Sequence, residues 1–134
     1  MFKKIDHIGV AVKSIDKSLH IFRDALGIEC IGEETVKDQN VKVAFLPVGE
    51  SEIELLESTS PEGNIAKYIE KRGEGIHHIA FKVDNLSTLL KDLHKKGIKL
   101  IDREPRIGAG GTQIAFLHPK STNGILVELC EDKT

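Results

Sequence analysis

Two stretches of this chain superpose on one another, and that internal repeat limits the available folds more than any other feature. DHIGVAVKSIDKSLHIFRDALGIECI, starting at Asp6, lies over HHIAFKVDNLSTLLKDLHKKGIKLI, starting at His77. His7 falls on His78, Val12 on Val83, Ile15 on Leu86 and Leu19 on Leu90, and a slip of one residue brings Gly27 onto Gly97. VKVAFL at 41 to 46 then falls on TQIAFL at 112 to 117, and ELLE at 54 to 57 on ELCE at 128 to 131 after a short insertion. Within each copy a short alternating run reads as a strand, and a run with apolar residues at helical spacing follows. Ser14 or Asn85 stands at the N-cap position, and Gly27 or Gly97 at the stop. Three further short strands complete a βαβββ unit. The fold class is therefore α+β, two tandem βαβββ modules forming a cupped mixed sheet. One domain over 1–134 is expected, with module one at about 1–60, a linker helix at about 61–75 and module two at about 76–134.

Strand parity assigns each residue its neighbours, because successive side chains point to opposite faces. Ile8, Val10 and Val12 share one face, and His7, Gly9 and Ala11 the other; Ile79, Phe81 and Val83 share a face with His77, and His78 lies opposite with Ala80. The bulky faces suit packing on a helix, whereas the faces of small residues leave room beside His7 and His78. In the closing strands Glu54 alternates with Ile53 and Leu55, and Glu128 with Val127 and Leu129. A partly desolvated glutamate needs a partner, and a cation supplies one. Any one of these four residues, taken alone, reads more readily as a structural histidine or a solvated edge glutamate. Their recurrence at matched places in the repeat favours a metal site made of His7, Glu54, His78 and Glu128. His77 has no twin, since Asp6 holds that place.

Two imidazoles and two carboxylates suit a divalent first-row ion such as cobalt, manganese, nickel or zinc. Two further coordination positions could take two substrate oxygens, with the ion acting as a Lewis acid on an enolate. Oxygen activation at ferrous iron is the alternative, but it uses one carboxylate rather than two. Composition narrows the partners. A net charge of −2 with basic residues spread along the chain gives no basic face for nucleic acid or membrane. Apolar runs fall far short of the ~20 residues that span a bilayer, and MFKKIDHIG lacks the apolar segment of a secretory signal, so a cytoplasmic location is expected. Two cysteines, Cys30 and Cys130, without CxxC spacing read as small core residues.

The doubled module with its His, Glu, His, Glu set resembles the vicinal oxygen chelate superfamily. Within it, IDHIGVAV, GIHHIAFKVDNL and EPRIGAGGTQIAFLHPKSTNGILVELCE resemble the methylmalonyl-CoA epimerases. That resemblance implies a homodimeric isomerase that interconverts (2R)- and (2S)-methylmalonyl-CoA by 1,1-proton transfer through a metal-stabilised enolate. It maps the metal ligands to His7, Glu54, His78 and Glu128, and one catalytic base to Glu128. Some members carry a second catalytic glutamate where this chain has Val43, so Glu54 is the candidate for the opposite base. Arg106 and Lys120 flank the GAGG loop and the HPKS turn. They are candidate contacts for coenzyme A phosphates, against the plainer reading of a solvated turn and loop. Two other activities stay open: a glyoxalase I-type lyase acting on a glutathione hemithioacetal, and a non-catalytic antibiotic-sequestering module.

Overall fold

The computed structural model describes residues 1–132. The elements follow the expected order. β1 (Phe2–Ala11), α1 (Ile15–Leu19, continued by a π turn over His20–Ala25), β2 (Gly32–Val36), β3 (Val41–Val48) and β4 (Ser51–Ser58) make the first βαβββ run. After α2 (Asn64–Arg72), the second run has β5 (Gly75–Val83), α3 (Leu86–Lys95), β6 (Arg106–Ile107), β7 (Gln113–Leu117) and β8 (Val127–Glu131). This is the α+β class that the repeat predicts.

The chain divides into two compact units. One is His7–His77; the other takes Met1–Asp6 together with the chain from His78 on. In the first unit the strand order is β2-β3-β4-β1, with β1 parallel to β4 and the other pairs antiparallel. In the second it is β5-β8-β7-β6, with β5 parallel to β8. The opening residues join the second unit by specific contacts: the Asp84 amide donates to the Met1 carbonyl at 3.1 Å, and Phe2 meets Phe81 edge-on at 5.6 Å. Lys3 pairs with Asp84 there as well.

Each unit packs its sheet on its own helix, and the two cores are copies. Val12, Ile15, Leu19, Ala44, Leu46 and Leu55 form one; Val83, Leu86, Leu90, Ala115, Leu117 and Leu129 stand at the matched places in the other. The flanking residues match too, with Phe22 and Ile28 answered by Leu93 and Ile98. The helices stop at Gly27 and Gly97, whose φ values of 77° and 87° lie in the left-handed region that glycine enters at little cost. Beyond those glycines the Ile28 and Ile98 amides bond back to Phe22 and Leu93. The first of these loops is one residue wider because the helix there opens into a π turn, and this is the physical origin of the slip between Gly27 and Gly97.

The helix starts differ from the sequence expectation at one point. Ser14 caps α1 through its Oγ, which accepts from the Lys17 amide. Asn85 makes no side-chain cap and sits in the left-handed region at φ 51°. The carboxylate of Glu131 takes that role, accepting from the Asn85 and Leu86 amides at 3.0 Å each. Glu57, its counterpart in the repeat, accepts from the Ile15 amide at 2.7 Å. An anion at a helix N-terminus satisfies amides that have no intrahelical acceptor and faces the positive end of the helix dipole. Since α1 keeps its Ser14 cap and α3 has no other, Glu131→Ala should lower unfolding stability by about 1–2 kcal/mol and Glu57→Ala by less. Urea midpoints of the two variants measure this; an equal or reversed order would contradict the assigned capping roles.

Candidate metal and proton-transfer site

The residues of ELLE and ELCE have two destinations because positions three apart in a strand point to opposite faces. Glu57 and Glu131 reach the helix side, as described above. Glu54 and Glu128 point to the other face and are buried, with 7% and 6% of their surfaces exposed. Each meets a histidine of its own unit. His7 Nδ1 lies 3.3 Å from Glu54 Oε2, and His78 Nε2 lies 3.2 Å from Glu128 Oε1. Both imidazoles are buried as well, at 5% each. Charge removed from water in this way needs a compensating charge close by.

The strands beside each glutamate are matched. In the parallel ladder Gly9 stands opposite Glu54 and Ala80 opposite Glu128, so a small residue leaves room on one side. In the antiparallel ladder Phe45 stands opposite Glu54 and Phe116 opposite Glu128, so an aromatic ring flanks it on the other. Phe116 meets the His78 ring edge-on, with centroids 5.7 Å apart and planes at 85°. These phenylalanines escaped the sequence reading, although the signal was present in the repeated AFL of VKVAFL and TQIAFL.

The remaining histidines and basic residues have separate settings. His77 is half-buried against Tyr68 of α2, ring to ring at 4.9 Å, and the Tyr68 hydroxyl donates to the Ile76 carbonyl at 2.6 Å. His20 is exposed beside Asp24, and His118 Nδ1 accepts from the Lys120 amide in the HPKS turn. Lys120 itself is exposed. Arg106 stacks its guanidinium on the Phe116 ring at 5.5 Å. Val43 is buried opposite Leu56 and has no proton to exchange, so it cannot supply an acid or base. Both cysteines are free. Burial pushes the Cys130 thiol well above its ordinary range, with the carboxylates of Asp6 and Glu128 adding to the effect, so it is a core thiol and not a thiolate ligand.

The donor chemistry fits a divalent ion. Each unit offers one imidazole nitrogen and one carboxylate oxygen, already within ion-pairing distance and shielded from water. Nitrogen and oxygen donors of this kind suit first-row divalent metals. The same carboxylates can take up a proton, so a single set of residues can both hold charge and move protons.

Comparison with known proteins agrees with the fold. Residues 6–116 match the Glyoxalase/Bleomycin resistance protein/Dioxygenase superfamily. The uncharacterized protein YqjC of Bacillus subtilis is 45% identical over 97% of this chain and 93% of its own length. The mitochondrial methylmalonyl-CoA epimerase of Mus musculus is 35% identical over 94% of this chain and 71% of its own. A solved structure of a methylmalonyl-CoA epimerase in complex with methylmalonyl-CoA and NH4+ superposes with a TM-score of 0.95 at 35% identity, covering 100% of this chain and 97% of that one. With its two βαβββ runs and a superfamily match over most of its length, the chain belongs to the Glyoxalase/Bleomycin resistance protein/Dioxygenase superfamily and has its vicinal oxygen chelate fold.

Proposed function

We propose that this chain is an isomerase that interconverts (2R)- and (2S)-methylmalonyl-CoA, with His7, Glu54, His78 and Glu128 holding one divalent ion. The carrying observation is the duplicated buried pair, an imidazole against a carboxylate in each unit. The names of the mouse epimerase and of the ligand-bound epimerase structure support the substrate. A divalent ion bound by these residues would polarise the thioester carbonyl and make the adjacent C2 proton more acidic.

Inversion at C2 requires one group to remove a proton from one side and another to return a proton to the other. Glu128 and Glu54 are the two buried carboxylates among the described residues, and they come from matched positions of the repeat. In the forward direction the C2–H bond breaks and Glu128 takes the proton; Glu54, in its acid form, donates to the opposite side, which requires each carboxylate to leave or share the ion while it carries a proton. The reverse reaction exchanges the roles. Gly9 and Ala80 stand beside the carboxylates on one strand, and Phe45 and Phe116 on the other. Val43 supports giving the second role to Glu54, since it removes the other candidate position. A cytoplasmic homodimer using cobalt, manganese, nickel or zinc completes the reading. No helix among the described residues is long and apolar enough to cross a membrane.

A glyoxalase I-type lyase uses related proton chemistry, and the probable lactoylglutathione lyase of Vibrio cholerae is 30% identical over 97% of this chain. The higher identity to the epimerases favours the epimerase reading. Incubation of the metal-loaded protein with methylmalonyl-CoA in heavy water should place deuterium at C2, followed by proton NMR. A C2 proton that persists at its uncatalysed rate contradicts the reading.

Two substitutions separate the roles. Glu54→Gln, assayed at saturating metal, should retain substrate binding and lower the epimerisation rate by about 100-fold or more, the usual scale for losing a positioned acid or base; unchanged turnover with metal still bound would move the second proton transfer to another group. His78→Ala should lose metal on dialysis, as read by elemental analysis, while His77→Ala keeps its metal and shows only a lowered unfolding midpoint. Equal metal loss in both variants would overturn the distinction between the two histidines.

A further inference from the structure

The two units are near copies around their histidine–glutamate pairs, yet a coenzyme A thioester has different groups on its two ends. A matched pair of acid–base residues therefore needs an unmatched residue to set which end lies where. Strand register locates one. Arg106 stands opposite Ile114, and the residue at the equivalent place in the first unit is Glu34, opposite Val43. Cation and anion occupy the same position of the repeat.

Arg106 is held in place from several directions. Its Nε donates to Asp102 Oδ1 at 3.2 Å, and its guanidinium lies over the Phe116 ring. The same Asp102 accepts through Oδ2 from the Phe116 amide at 2.8 Å, so one carboxylate positions both the cation and the strand on which it stacks. Phe116 in turn meets His78, the partner of Glu128. Gly108 brings the loop down onto this face: a Cβ there would come within 2.8 Å of the Ile114 side chain. The loop closes with the Gly108 amide bonded to the Thr112 carbonyl at 2.9 Å. The guanidinium is thus fixed one aromatic ring away from the His78–Glu128 pair and remains substantially exposed, with 42% of its side-chain surface accessible. An ordered, partly exposed arginine with a planar donor fork is suited to carboxylate or phosphate oxygens.

We propose that Arg106 is the residue that orients the substrate, binding an anionic oxygen group of the coenzyme A thioester beside the His78–Glu128 pair. This rests on the acyl-CoA reading of the site. The anion is either the carboxylate of the acyl group or a phosphate of coenzyme A, and the two sources can be told apart.

The test compares wild type with Arg106→Met, which keeps an apolar stem on Phe116, and Arg106→Lys, which keeps a charge without the planar fork. Calorimetric binding of methylmalonyl-CoA is measured beside steady-state epimerisation. Loss of a charge-assisted contact predicts Kd and KM raised about tenfold or more in Arg106→Met, with kcat changed far less and partial recovery in Arg106→Lys. Repeating the binding with methylmalonyl-pantetheine, which lacks the phosphates, identifies the source. If the Met variant's defect persists, the carboxylate is bound; if it vanishes, a phosphate is. Unchanged Kd and KM in Arg106→Met overturn the proposal, as does a fall in kcat and unfolding midpoint with affinity intact. A wild-type protein that binds methylmalonyl-CoA without turning it over would sink the epimerase reading and leave Arg106 to be judged on Kd. One that does not bind it at all would sink both.

Discussion

A buried carboxylate is the constraint on which the rest of this structure depends. Glu54 and Glu128 are each withdrawn from water to within a few per cent of full burial, and an ionised carboxylate in such a place is costly unless opposite charge or donors are fixed beside it. The fold meets that demand with a histidine on the same unit, held at hydrogen-bonding range. Holding it there requires the surrounding strands to keep their register. Glu57 and Glu131, three residues further on and facing the helix, tie the ends of β4 and β8 to the first amides of α1 and α3. One short motif thus joins each site carboxylate to the helix that covers the opposite face of its sheet.

Duplication explains why this arrangement suits chemistry at a stereocentre. Inversion by proton transfer needs equivalent groups on two sides of one carbon, and a repeated module provides equivalents without separate invention. On the proposed epimerase reading the same duplication would be a handicap for recognition, because a coenzyme A thioester is not symmetric, and the exceptions to the repeat would carry the information about orientation. Arg106 against Glu34 is one such exception; the absence of a side-chain cap at Asn85, where Ser14 has one, is another, with consequences for stability instead of recognition.

Much of this was legible in the sequence because its main features are periodic. The offset that brings His7 onto His78 also brings Val12 onto Val83 and Leu19 onto Leu90, and those residues occupy matched places in the two cores. Parity placed Glu54 and Glu128 opposite the apolar residues of their strands, and it separated His78 from His77. What stayed hidden depends on register between strands that are distant in sequence. That Phe116 stands beside Glu128, and that Gly9 and Ala80 stand beside the two glutamates, follows from ladders no local pattern encodes. The cap on α3 was missed for the same reason: its carboxylate lies 46 positions from Asn85. Membership of the two compact units has a similar origin, since Met1–Asp6 precedes the first histidine in sequence yet packs with the chain from His78 on.

The central claim is that the two histidine–glutamate pairs serve a single divalent ion. Titration of the metal-free protein with cobalt, followed by calorimetry and by the visible absorption of bound cobalt, tests it most directly. The account predicts one ion per chain, with both Glu54→Gln and Glu128→Gln weakening that one binding event. Two independent ions per chain, or none, would contradict it.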